Sequence, residues 1–413
     1  MNSIKQQILS RSVAIYTDML RFRRTIFRRR DRDSSVLILP PAAPGSLGYE
    51  ALVTGAIEYL RDTGIKRIGV LSYDPKLQWK NLELVSGKSE LHHHFLGGSL
   101  GSPKALFYFA NAVYQYEQFY CIGADVMDGY YYEHDTLQRV KLVSIANAMG
   151  VDTAVLGFSF NSQPKPKSVA ALNNLPETVR LCVRDPVSHK RLVHHLKRPV
   201  ELVADLAFLL QPIEDSETVR HVLKWIDEQR TTNRIVLGIN ANYKLIENLE
   251  VKKIENLIQV YIDTIGKLYS KNKHLSFVLI PHDFRNIKGK NSDVVLAEAV
   301  WQTLPLEIQS YCLKVPTPCS AAEIKGIAGN LDMVLSGRMH LAIASLGQGT
   351  PAACITYQGK FEGLFKHFDL EGMTIEPEQA LQPGNLVQFL MPLIEKREEI
   401  RKHVQLKLLL DSQ

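Results

Sequence analysis

Cysteine and long apolar runs are both scarce in this 413-residue sequence. The five cysteines, Cys121, Cys182, Cys312, Cys319 and Cys354, are scattered, with neither the paired spacing of a metal knuckle nor the density of a disulfide framework. An odd number of cysteines lying mostly in apolar strands suits a reducing compartment, so the cytoplasm is the expected location. No window approaches the ~20 apolar residues needed to span a bilayer. Nothing resembles a signal peptide, because the basic run follows its apolar residues rather than preceding them. His92-His93-His94 and His194-His195 are adjacent rather than i,i+4 pairs, and no metal site is expected.

A general positive charge is missing as well. Residues 1–33 hold nine bases against three acids, which is the whole net charge of +6, and the other 380 residues balance 40 bases with 40 acids. Nucleic-acid binding by the body is therefore not implied. The arm alternates Arg with Ile, Leu and Phe, as in Met19-Leu20-Arg21-Phe22-Arg23-Arg24. Two readings of it stand: a solvated N-terminal helix, or an interfacial segment touching anionic lipid on the inner face of the cytoplasmic membrane.

What is present is a βα rhythm. Apolar runs at 36–39, 67–72, 119–123, 153–158 and 179–183 alternate with helical patterns at 49–63 and 105–115; the Gly- and His-rich stretch 75–102 reads as loop. A polar segment follows, and the rhythm restarts at 234–239, with further strands at 275–280, 311–315, 331–335 and 352–357. Such alternation produces parallel sheets covered by helices. The expected class is α/β, with two Rossmann-like domains facing across a cleft in the glycosyltransferase-B manner. The basic arm spans 1–33, an acceptor-side domain 34–215 and a donor-binding domain 216–413. The last helix, about 385–410, is a candidate for packing back on the first domain.

Chemistry gathers at strand ends. Gly337-Arg338-Met339-His340 closes an apolar strand and opens a helix, so backbone N–H groups, a guanidinium and an imidazole meet where open α/β sheets bind ligands and helix N-termini favour anions. An Arg paired with a core carboxylate and a His at a helix cap would be the bland reading. Arg184-Asp185-Pro186-Val187-Ser188 follows another strand; Asp185 and Pro186 suit a helix start, and Arg184 is left over as a second cation. Gly45, Ser46 and Gly48 lie between the first strand and first helix, where spaced glycines admit a ligand near the backbone. Asp125 and Asp128 lie after the strand at 119–123, and Pro281-His282-Asp283 and Tyr357-Gln358-Gly359-Lys360 close two more strands.

In order, these segments resemble the polysaccharide pyruvyltransferase family. Its pattern runs from a Gly-Asn-x-Gly-Asp-Glu-like first turn through a Gly-rich strand end with an acid, Gly-x-Ser, Arg-Asp-x-x-Ser and Pro-His to Gly-x-x-His, Gly-x-Pro and Tyr-x-x-Lys. This chain offers Gly45 to Glu50, Gly123 to Asp128, Gly157-Phe158-Ser159, Arg184 to Ser188, Pro281-His282, Gly337 to Pro351 and Tyr357 to Lys360. Ser46 and Tyr49 stand where the family commonly has Asn and Asp, and Ala124-Asp125 replaces a glycine pair. These departures lie on the acceptor side.

The resemblance implies transfer of a pyruvyl group from phosphoenolpyruvate to two hydroxyls of a sugar in a polysaccharide or lipid-linked glycan, with phosphate released. Arg184, Arg338 and Lys360 would bind the doubly anionic donor, alongside Ser188, Tyr357, His282, Gly45 and Gly48. His340 would be the general acid, and Asp128 or Glu50 the base. Phosphoenolpyruvate would be a co-substrate, with no metal or redox cofactor. Two other readings remain: a glycosyltransferase using a nucleotide-sugar, and a catalytically silent, membrane-docked scaffold.

Overall fold

The computed structural model describes residues 14–22, 24, 34–74, 79, 82, 87–247, 254–285, 292–356 and 361–411. The chain divides into two compact units. The first runs to Pro44 and resumes over Leu52–Leu209; the second comprises Gly45–Ala51 and Leu210–Gln413.

The first unit holds the strands β1 (Ser35–Leu39), β2 (Arg67–Ser72), β3 (Glu90–Phe95), β4 (Gln118–Ala124), β5 (Asp152–Phe158), β6 (Arg180–Val183) and β7 (Glu201–Leu202), in the order β3-β2-β1-β4-β5-β6-β7. Every neighbouring pair is parallel. Val36 to Leu39 are fully buried. A parallel strand covered on both faces reads as a continuous apolar run rather than an alternation, which is why β1 is visible in the sequence. Helices Pro103–Val113 and Glu133–Ala148 form part of the crossovers, and Phe109 meets Phe119 edge-on at 5.1 Å beneath the first of them.

The second unit repeats the scheme with β8 (Ile235–Ile239), β9 (Leu275–Leu279), β10 (Cys312–Lys314), β11 (Met333–Ser336), β12 (Ala352–Ile355) and β13 (Thr374–Ile375), ordered β10-β9-β8-β11-β12-β13 and again all parallel. The fold is thus the expected α/β class of two Rossmann-like units. In each, the winding reverses at one place, between β1 and β4 in the first unit and between β8 and β11 in the second. These switch points open a crevice at the carboxyl ends of the strands.

Three expectations need correction. The stretch read as loop contains β3, paired with β2 over six residues; it is an edge strand whose His92, His93 and His94 hide the apolar signal. The last helix is two, Asn385–Glu395 and Arg397–Asp411. Strands β7 and β13 have two residues each, too few for any periodicity. Within the second unit, helix Arg397–Asp411 is tied down by Arg401, which donates to the carbonyl of Leu331 at 2.8 Å, and by buried Val404. All five cysteines are free and buried.

Candidate active site

Strand β11 leaves the sheet through Gly337 and enters helix Met339–Leu346 with Arg338 at the N-cap position. The Ser336 hydroxyl fixes the turn, donating to the Arg338 carbonyl at 2.8 Å and accepting its N–H at 3.0 Å. Asn242, just past β8, donates from Nδ2 to the Gly337 carbonyl at 2.8 Å. The turn therefore sits on the β8/β11 switch point.

Arg338 is buried, and two carboxylates hold it. Its Nε and Nη2 donate to Asp293 at 3.1 and 2.6 Å, and its Nη1 lies 3.2 Å from Asp283. Asp283 also accepts three bonds from Arg285, from its guanidinium at 2.9 and 2.7 Å and from its backbone N–H at 3.1 Å. Burial alone would raise the Asp283 carboxyl, but the hydrogen bonds from Arg285 and the charge of Arg338 outweigh it and hold the group below the usual carboxylate range. Asp293 is the hub: its Oδ2 also accepts the backbone N–H of His282 and the amide of Asn240, both at 3.1 Å. The His282 imidazole is pushed down to about 3, first by burial and then by the neighbouring His340 and Arg338 charges. It is neutral at physiological pH.

The segment Gly45–Ala51 belongs to this unit and closes the cluster. Ser46 forms an antiparallel bridge with Asp283; the Leu47 N–H donates to the His282 carbonyl at 3.3 Å, and the Phe284 N–H to that of Gly45 at 3.0 Å. Gly45 has φ +110°, and a Cβ there would lie 2.7 Å from Arg285 Cγ. A Cβ on Gly48 would lie 2.5 Å from His340 Nδ1. Gly45 is thus required by conformation and close approach, and Gly48 by close approach alone. The Arg285 guanidinium lies 5.4 Å from the centroid of the Tyr49 ring. Glu50 Oε1 accepts the N–H of Ala321 at 2.8 Å, at the start of helix Ala321–Gly329.

The other expected residues fall in the first unit, around the exit of β5. Arg184 donates from Nε to the Ser159 hydroxyl at 2.8 Å and from Nη1 to Asp205 at 2.9 Å. Ser188 accepts the Phe160 N–H at 2.8 Å, and its own N–H caps onto Asp185 at 2.7 Å. Asp128 accepts the N–H groups of Tyr130 and Asn161 on its two oxygens, at 2.9 and 3.0 Å. Residues 159–161 therefore knit Asp128, Arg184 and Ser188 into one buried polar interlock. Beside it, Tyr130 and Tyr132 are exposed.

The structure thus brings together Gly45, Gly48, Glu50, His282, Arg338 and His340 in the second unit, and Asp128, Arg184 and Ser188 in the first. Tyr357 and Lys360 lie outside the described residues. Sequence reasoning missed Asp293 and Arg285. Asp293 follows Ser292 at the start of helix Asp293–Thr303, where an acid already has a reason to be. Arg285 stands just past a strand end, with no spacing that marks it.

The family model for polysaccharide pyruvyl transferase matches residues 47–359. No curated protein sequence matches the chain. Among solved structures, the chain is similar to a putative UDP-N-acetylglucosamine 2-epimerase from Listeria monocytogenes, at 12% identity over 90% of each chain with a TM-score of 0.58. It is similar to UDP-GlcNAc 2-epimerase from Neisseria meningitidis bound to UDP-GlcNAc, at 11% identity over 90% of this chain and 94% of that one, TM-score 0.56. A glycosyltransferase from Rickettsia africae gives 12% identity, 91% and 96% coverage and a TM-score of 0.52. At such identities the likeness is one of fold alone.

Proposed function

The chain belongs to the polysaccharide pyruvyl transferase family, and from that premise we propose that it moves a pyruvyl group from phosphoenolpyruvate onto two hydroxyls of a sugar, forming a cyclic ketal and releasing phosphate. The acceptor in this reading is a polysaccharide or lipid-linked glycan, reached at the inner face of an anionic membrane. Two C–O bonds form at the donor's C2 and its bond to the phosphate oxygen breaks. One hydroxyl proton is balanced by the methylene carbon becoming methyl, and the other leaves with phosphate.

The observation that carries the reading is the Arg338 turn at the β8/β11 switch point, with His340 against Gly48. Asp293 grips Arg338 through Nε and Nη2, which orients the Nη1 edge toward Asp283. A donor phosphate or carboxylate exchanges with Asp283 at that edge and takes a second contact from Arg285. Preorganised cations of this kind stabilise the charge that develops on the leaving group. His340 delivers the proton to the methylene carbon. Of the two candidate bases we take Glu50, on the segment that holds Gly48 to His340; both oxygens of Asp128 already accept backbone amides.

Thermal stabilisation by phosphoenolpyruvate, set against UDP-, GDP- and CMP-sugars, tests the donor. A ligand at a hundred times its Kd adds about 2.7 kcal/mol to the native state. Phosphoenolpyruvate is expected to stabilise, Arg338→Lys to lose most of the effect, and His340→Ala to keep it while phosphate release with acceptor falls roughly a hundredfold. Stabilisation by a nucleotide-sugar alone would overturn the reading.

A further inference from the structure

Residues 14–22 form a helix in the first unit, and only one side of it meets the body. The Tyr16 hydroxyl donates to Asn111 at 2.6 Å and its ring lies 5.1 Å from Phe107; Thr17 and Leu20 are buried. Arg24, also helical, donates to the Tyr116 carbonyl at 2.6 Å and pairs with Glu117 at 3.0 Å. These contacts fix which side faces outward.

The outward side carries Ile15, Met19 and Phe22, which are 70%, 46% and 67% exposed. At 3.6 residues per turn the three fall within about 60° of arc. Single exposed apolar residues are ordinary, but an aligned triplet on a docked helix marks an interaction surface. Charge decides the occupant. Residues 1–33 carry the entire net charge of +6 while the rest of the chain is neutral. A second copy of this chain would set two such arms against each other. An anionic bilayer surface accepts the apolar stripe and the positive charge together.

We propose that this helix is interfacial, lying on an anionic membrane with Ile15, Met19 and Phe22 in the headgroup boundary. Arg24, engaged with Glu117, orients the helix on the body; Asp18 and Arg21, both exposed, follow the stripe on its flank. Among the described residues no helix is long and apolar enough to cross a membrane, so attachment through this surface is peripheral and reversible. The proposal names the surface behind the membrane contact in the reading above, and it stands whichever donor the second unit binds.

The full chain, sedimented with vesicles, tests it. Binding is expected to vesicles containing phosphatidylglycerol and not to phosphatidylcholine alone, weakening as salt rises. The triple variant Ile15→Ser, Met19→Ser, Phe22→Ser is expected to bind at least tenfold less while its melting temperature and any stabilisation by phosphoenolpyruvate stay as in the parent. Phe22→Trp adds a probe that leaves the stripe apolar: its emission should shift to the blue and be quenched by brominated lipid chains. Absence of binding to anionic vesicles, equal binding by the triple variant, or a dimer in solution that the triple variant abolishes would each overturn the proposal.

Discussion

At the scale of single residues, the site is set by close approaches more than by charge. Gly48 lies near the start of helix Leu47–Asp62, where alanine would be the better helix former by roughly 0.5–1 kcal/mol. Its Cβ, however, would stand 2.5 Å from His340 Nδ1 and 2.9 Å from Cγ, and no imidazole shares that space. Gly48→Ala is therefore expected to lower the melting temperature modestly, because the root of the His340 side chain has to give way, while phosphate release falls by at least about tenfold, since displacing a reacting group by ~1 Å costs up to ~10²-fold. Parent-like turnover in that variant would mean that His340 does not need its present seat. The sequence marks Gly48 as a spaced glycine and His340 as a strand-end imidazole. It does not reveal that one exists for the other, because 292 positions separate them in the chain and only the fold closes that distance.

Glu50 shows the same at the scale of elements. From sequence it is an acid in a first helical turn and a candidate base. In the structure its carboxylate caps a different helix, accepting the Ala321 N–H beside the Ser320–Glu323 capping box. The two roles separate by substitution. Glu50→Gln keeps an oxygen for the cap but cannot take a proton at neutral pH, whereas Glu50→Ala loses both and should cost about 1 kcal/mol. In denaturant unfolding the Gln variant is expected to stay within a few tenths of a kcal/mol of the parent, with phosphate release reduced about a hundredfold. A Gln variant that turns over normally would leave Glu50 as a cap alone.

The strands legible in sequence, β1, β2, β4, β5, β6, β8, β9, β10, β11 and β12, are mostly those whose apolar runs are buried on both faces. Strand β3 escaped because an edge strand carries polar side chains, and β7 and β13 because two residues have no period. Arg184 and Ser188 were legible as motif positions, but the interlock around residues 159–161 was not. Nothing in Ser159-Phe160-Asn161 announces that its hydroxyl and its backbone amides will serve two separate strand ends, those of β4 and β6.

For the molecule as a whole, the second unit carries an acid sensitivity written into its site. His282 has an ordinary value of 6.5 in the unfolded chain and about 3 when folded, lowered by burial and by the His340 and Arg338 charges. Between those values the unfolded chain binds a proton that the native unit does not. Stability is thus complete above about pH 6.5 and drains away as pH falls toward 3, at ~1.4 kcal/mol per pH unit, or about 3 kcal/mol by pH 4. The Asp283 carboxyl, held below its ordinary 3.8, adds a second loss confined to pH values under about 4. Because Gly45–Ala51 belongs to the second unit while the chain on either side belongs to the first, acid unfolding of the second unit also withdraws the segment that begins helix Leu47–Asp62. Urea midpoints measured from pH 7.5 to 4 should fall steadily in the parent. They should fall less steeply across that range in His282→Asn, the remaining slope coming from His94, which burial lowers to about 4. A parent profile flat from pH 7 to 4 would show that His282 is not buried neutral in the native chain.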